Sequence, residues 1–311
     1  FWQLPLDAAA CEAFNMVTQE VLFTPLRVPQ GVLNAMPHFH ASMELEVLVG
    51  LIFRICLVWV DEIIVWGRTP EELVVNTGKV LERLITKGIF AAAHKVTFFS
   101  TSIKWCGKIY SGEGVKYAPE RIEGLVKIRR PETGGELLQF LQTANWMRMS
   151  LINMAKVTAP MRELLEELLK GTRRTRRIAA GKVIRRPEDW TEQRQAAWDA
   201  ALCMLQNAME LAHPKRGWKV LMFPDASDLF WGSFLTQVLP ADFVSGMQVE
   251  DICHEPLGFL SGAFTGSQLR WPTVDKEAFA IMSTFRPLEH LLWGGVSICC
   301  DRRNLAYIFS P

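Results

Sequence analysis

Lys219-Val220-Leu221-Met222-Phe223-Pro224-Asp225-Ala226-Ser227-Asp228 is an apolar, β-prone run that stops on an acid and a polar turn. The same theme recurs along the C-terminal third of the chain: strand-like segments at Trp218–Phe223, Phe230–Gln237 and Pro256–Ser261, a helical pattern over Val274–Trp293, and a last strand at Val296–Cys300. A strand, a crossover helix and a further strand make the last strand parallel to an earlier one, with the helix packed across the sheet. Asp225 then closes the first strand, Glu277 sits in the first turns of the helix that begins after Pro272-Thr273, and Asp301 ends the last strand. Three carboxylates converging in this way repel one another unless cations neutralise them. Two hard divalent ions with oxygen ligands would do so, and would activate water for attack on a phosphodiester. The plainer reading of acids at strand ends and helix starts is that they are solvated caps.

Upstream, residues 134 to 213 read as mostly helical. Leu137, Phe140, Leu141, Ala144 and Met147 form one amphipathic face, and Trp198, Leu202, Leu205 and Met209 another. Between them the run from Lys170 to Arg186 carries Arg173, Arg174, Arg176 and Arg177 among eight basic residues and no acid. Such a run either contacts a phosphate backbone or is a solvated insertion. Strand-like pieces at Ile103–Tyr110 precede a tight turn at Gly112-Glu113-Gly114. From Thr69-Pro70-Glu71-Glu72 a helix starts with its cap, its proline and its acids in the preferred order, using Leu73, Val74, Leu81, Leu84 and Ile85 as its apolar positions and Gly88 as its stop. Residues 1 to about 70 read as strands and one short helix. Within them, Ile55 to Trp66 is two apolar arms around Asp61-Glu62, a hairpin that holds two carboxylates at its turn.

Composition narrows the classes. The 311 residues are 49% hydrophobic and 22% charged, too apolar for general disorder and long enough for two or three modest domains. Lys+Arg 34 against Asp+Glu 33 nearly cancel, so any basic surface is local. No apolar run approaches the roughly 20 residues that span a bilayer. Seven scattered cysteines without a CxxC pair argue against a disulfide framework or a zinc site and for reduced thiols in an intracellular setting, cytoplasmic or nuclear. The tryptophans, eleven in all, read mainly as core. The start at Phe1, without Met or signal peptide, reads as a cut through a larger protein.

A family resemblance sharpens these readings. Phe223-Pro224-Asp225-Ala226-Ser227-Asp228 with Trp231-Gly232-Ser233-Phe234-Leu235-Thr236-Gln237, then Trp271 to Ala280 around Lys276-Glu277-Ala278, and then Cys300-Asp301-Arg302, resemble the ribonuclease H domain of gypsy-type LTR retrotransposon Pol polyproteins. Farther upstream, Phe1-Trp2-Gln3-Leu4-Pro5 looks like the tail of the first polymerase motif of that family. Arg27-Val28-Pro29-Gln30-Gly31 is similar to its template-ordering loop, and Trp59-Val60-Asp61-Glu62 stands in the place of its aromatic-x-Asp-Asp hairpin. Lys95 and Trp105-Cys106-Gly107 resemble the motifs that grip the primer, and Gly135 to Arg148 the thumb and connection.

The resemblance implies an α+β protein with a partial reverse-transcriptase palm over residues 1–128, a mostly helical thumb and connection over 129–213, and a ribonuclease H-like α/β domain over 214–311. It implies RNA-directed DNA synthesis by the parent protein, and hydrolysis of RNA in RNA–DNA hybrids. Each active site would hold two Mg²⁺ or Mn²⁺ ions, through Asp225, Glu277 and Asp301 in one site and Asp61, with Glu62, in the other. Gln30, Gly31, Lys95, Trp105, Gly107 and the arginines at 173, 174, 176 and 177 would bind the primer-template or hybrid. Departures from the family pattern temper this. The first polymerase Asp and the last ribonuclease H acid of the family fall outside the sequence, Arg302 replaces a His, Ile152 a proline, and Pro287 interrupts a helix at a cost of about 3 kcal/mol. Glu62 replaces an Asp, and its extra methylene moves an oxygen by roughly an ångström, a misplacement that can cost about 10²-fold in rate. The expectation is therefore no polymerase activity from this chain, with a catalytically dead, nucleic-acid-binding relic as the rival to a working nuclease.

Overall fold

The computed structural model describes residues 2–170, 189–243, 252–292 and 294–300. The chain divides into two compact units, Phe1–Cys106 and Gly107–Pro311.

In the first unit, α1 (Ala8–Ala13) is capped by Asp7, whose carboxylate accepts from the Ala10 N–H at 2.7 Å. Short strands β1 (Met16–Val17) and β2 (Leu22–Phe23) pair antiparallel. A second helix, α2 (Ala35–Ser42), runs on into a π-helical turn at Met43–Val47. The sequence reading of one short helix before residue 70 is corrected here. Ala35, Phe39, Met43 and Val47 recur every four residues and are all buried, while Pro37 falls in the first turn, where its missing N–H has no partner to lose. The expected hairpin is present as β3 (Cys56–Trp59) and β4 (Glu62–Val65), with Trp59 opposite Glu62. Helix α3 (Pro70–Thr86) begins as expected, the Thr69 hydroxyl accepting from the Glu72 N–H at 3.2 Å. Its buried face agrees with the expected one at Leu84 and differs elsewhere. Asn76, Val80 and Leu84 go inward, whereas Val74, Leu81 and Ile85 are exposed. A polar residue can take the inner position because the Asn76 amide donates to the Trp66 carbonyl at 2.9 Å. A 3₁₀ turn (Ala93–Lys95) and β5 (Ser102–Trp105) follow.

The second unit opens with β6 (Lys108–Ser111) and β7 (Val115–Tyr117), paired antiparallel across the Gly112–Gly114 turn. Among the described residues four helices come next: α4 (Pro119–Val126), α5 (Gly134–Trp146), α6 (Met154–Leu169) and α7 (Glu192–Gln206). Leu137, Phe140, Leu141, Ala144 and Met147 are buried together with Trp198 and Leu205, as their spacing required, while Met209 lies beyond α7 and is exposed. The last layer is a four-stranded sheet of β8 (Lys219–Ala226), β9 (Phe230–Val238), β10 (Glu255–Ala263) and β11 (Ser297–Ile298), in the order β10-β9-β8-β11. The first three run antiparallel, and β11 lies parallel to β8, with Ile298 beside Met222. Helix α8 (Thr273–Leu292) makes the crossover and packs on β8 and β9. It runs continuously through Pro287.

Candidate nuclease and polymerase sites

At the end of β8, Asp225 is exposed and pairs across the ladder with Gly232 on β9. The turn after this strand carries Asp228, whose carbonyl accepts from the Lys276 ammonium at 2.9 Å; its carboxylate is 3.8 Å from the same group. Lys276 belongs to the first turn of α8, so the helix start is fastened to the turn beside Asp225. Glu277 is the next residue and is only 8% exposed, on the face of α8 that also buries Ala280, Ile281 and Thr284. Asp225 and Glu277 therefore reach the same end of the sheet. Strand alternation gives Asp225 the side of Leu221 and Phe223, and Met222 the side that packs with Ile281 of α8. Parallel β11 runs toward this end as well, but Asp301, the third acid, lies outside the described residues, as do Arg302 and the rest of that motif. Among the described residues no group of three or more His, Cys, Asp or Glu side chains is placed to hold a metal ion.

Beside Asp225 is a cavity of about 380 Å³. Its walls include Phe223, Phe234 and Phe259, one aromatic from each of three adjacent strands, with ring centroids 5.9 Å and 4.9 Å apart. Its polar lining is Asn153, Lys156, Ser227, Ser233, Ser261 and Asp225 itself. Asn153 and Lys156 come from the start of α6, which is tied to β10 by the Ala155 N–H donating to the Ser261 hydroxyl at 2.9 Å. Sequence reasoning missed both residues, because a lysine on an amphipathic helix reads as solvated until the partner element is known.

In the first unit the hairpin presents Val60 and Asp61 as a two-residue turn, with Asp61 and Glu62 both exposed. Val60 has φ +56°, a strained setting for a β-branched residue. Its N–H donates to His40 Nδ1 at 3.2 Å, which leaves the ring proton on Nε2, 3.8 Å from the Glu44 carboxylate. The Glu62 carboxylate accepts from the Cys106 N–H at 2.8 Å. Gln30 and Gly31 are at the surface, and Gly31 has φ +90°. Lys95 is exposed in its 3₁₀ turn and Trp105 is half-buried in β5. Gly107, in the second unit, has φ +76°, and a Cβ there would lie 2.6 Å from Arg121 Nη1 and 3.3 Å from Trp146. Arg121 in turn stacks 4.7 Å from the Trp146 ring centroid. The arginines at 173, 174, 176 and 177 lie outside the described residues.

Along the chain, an acid-tipped hairpin and a helical bundle precede a four-stranded mixed sheet with its crossover helix. Residues 190–298 match the family described as the RNase H-like domain found in reverse transcriptase. The chain is 25% identical over 289 residues to the Tf2-3 and Tf2-7 transposon polyproteins of Schizosaccharomyces pombe; the alignment takes in 91% of this chain and 19% of theirs. In fold it is similar to the foamy viral protease-reverse transcriptase dRH in complex with double-stranded DNA, with TM-score 0.76, 18% identity and coverage of 99% of this chain and 49% of that one. The foamy viral protease-reverse transcriptase in complex with an RNA/DNA hybrid gives TM-score 0.73 at 18% identity, over 100% and 38%. The chain is thus similar to retrotransposon polyproteins and carries an RNase H-like match over residues 190–298, and it spans about a fifth of the length of the curated relatives it matches. No described helix is long and apolar enough to cross a membrane.

Proposed function

We propose that this region hydrolyses the RNA strand of RNA–DNA hybrids, at a site built on Asp225 and Glu277 with Asp301 as third acid. The observation that carries the reading is the fastening of the α8 start to the β8–β9 turn through Lys276 and Asp228, which delivers Glu277 to the strand end that bears Asp225. Both are hard oxygen donors of the kind Mg²⁺ and Mn²⁺ prefer. Held by these acids, two such ions supply an activated water and stabilise the charge of the transition state. The protein's own part is to hold the two carboxylates at one end of a rigid sheet and to bind the hybrid beside them. In the domain division this reading uses, 1–128 is palm, 129–213 thumb and connection, and 214–311 the nuclease domain.

The parent polyprotein would also carry out RNA-directed DNA synthesis, with Asp61 as a metal ligand and Gln30, Gly31, Lys95, Trp105, Gly107 and the arginines at 173, 174, 176 and 177 along the primer-template path. In this chain we assign Glu62 a different task. Its carboxylate is engaged by the Cys106 backbone, so it holds a loop rather than standing open to a cation. DNA synthesis by this chain is expected to be absent.

The test is cleavage of a labelled RNA–DNA hybrid by the purified chain in Mg²⁺ or Mn²⁺. Metal-dependent cutting of the RNA strand, lost in Asp225→Asn and kept in Glu62→Gln, supports the reading. No cutting by a folded chain overturns it and leaves a nucleic-acid-binding relic.

A further inference from the structure

We propose that Lys156, contributed by α6 from outside the sheet, is a phosphate-binding residue of the nuclease site, holding a backbone phosphate of the nucleic acid across the cavity from Asp225. The inference rests on the nuclease reading above and extends its site to a second element.

Four observations converge. Lys156 and Asn153 line the same cavity as Asp225, Asn153 as the residue that precedes α6 and Lys156 in its first turn. Asn153 reaches over the strand pair that carries Asp225: its amide oxygen is 3.7 Å from where a Cβ on Gly232, the ladder partner of Asp225, would be. Lys156 is exposed, and among the described residues it makes no ion pair. Ser227 and Ser261 also line the cavity and give its wall further polar groups.

Helix α6 has no acid in its first turn, and a cation there adds to the positive end of the helix dipole. An anion entering the cavity meets both. The Asp225 carboxylate on the opposite wall would repel that anion, unless the divalent cation assigned to it is bound. A phosphodiester spanning the cavity satisfies the arrangement at both ends, negative toward Lys156 and toward the cation alike. The aromatic wall of Phe223, Phe234 and Phe259 gives the sugar or base an apolar surface.

The test is binding of a fluorescent RNA–DNA hybrid by the full chain, read by anisotropy in Ca²⁺ over a range of salt concentrations. Lys156→Gln is expected to weaken binding by about tenfold and to lower the slope of log K against log salt by about one, while Lys156→Arg keeps both. Lys127→Gln, at the exposed lysine that follows α4 and is ion-paired with Glu123, is the control and is expected to bind as the parent does. Equal binding by Lys156→Gln and the parent overturns the proposal and leaves the nuclease reading intact. Equal weakening by Lys127→Gln overturns it too, by showing only general charge. A parent chain that binds no hybrid overturns both readings at once.

Discussion

Single residues carry two measurable consequences of this structure. Val60 occupies the left-handed region at the tip of the acidic hairpin, where glycine is the usual occupant. Val60→Gly is expected to cost at least ~1 kcal/mol less than Val58→Gly, because Val58 is a buried strand residue whose side chain packs in the core of the first unit. Equal losses in chemical denaturation would contradict the strained turn. Tyr117 is buried, its hydroxyl donating to the Trp146 carbonyl at 3.2 Å, and burial pushes its pKa up to about 12. A folded pKa above the unfolded value near 10 means that the neutral form is favoured by folding. The contribution is whole below pH ~10 and is lost as the pH rises toward about 12. Stability measured over that window is expected to fall, and Tyr117→Phe to fall less. At this scale the sequence named the acids by type and position but could not see their partners. Glu62 reads as an open carboxylate until the Cys106 N–H is found on it, and the cavity that Lys156 shares with Asp225 appears only once α6 is placed against β10.

At the scale of elements, local chemistry announced itself wherever caps and period agreed. Thr69-Pro70 opened α3, the acid-centred apolar arms gave the β3–β4 hairpin, and the strand–helix–strand order required β11 to lie parallel to β8. Two elements were misread for identifiable reasons. The helical period of Ala35, Phe39, Met43 and Val47 was masked by the Pro37, His38 and His40 among them, and the inner face of α3 turned on Asn76, whose burial depends on the distant Trp66 carbonyl. Helix α8 shows the reverse, a breaker that did not break. It is continuous through Pro287, which forgoes a backbone hydrogen bond in mid-helix. Pro287→Ala is accordingly expected to stabilise the second unit, by roughly 1–3 kcal/mol. A thermal melt that is unchanged or lowered would show that the proline fits its site without strain.

For the molecule as a whole, the fold class was legible from the order of motifs along the chain, and the structural similarity at TM-score 0.76 agrees with it. The boundary between compact units at Cys106 and Gly107 was not, since no change of composition marks it. The central claim is that carboxylates from two elements of the sheet layer, Asp225 on β8 and Glu277 on α8, serve one metal-dependent hydrolysis. Residues that act as one site lose activity together rather than additively. The direct measurement is hybrid cleavage in Mn²⁺ by Asp225→Asn, Glu277→Gln and the double variant, each first shown to be folded. The account predicts that either single substitution removes nearly all cutting and that the double variant is no worse. Full cleavage by Glu277→Gln, or losses that multiply in the double variant, would contradict a shared site.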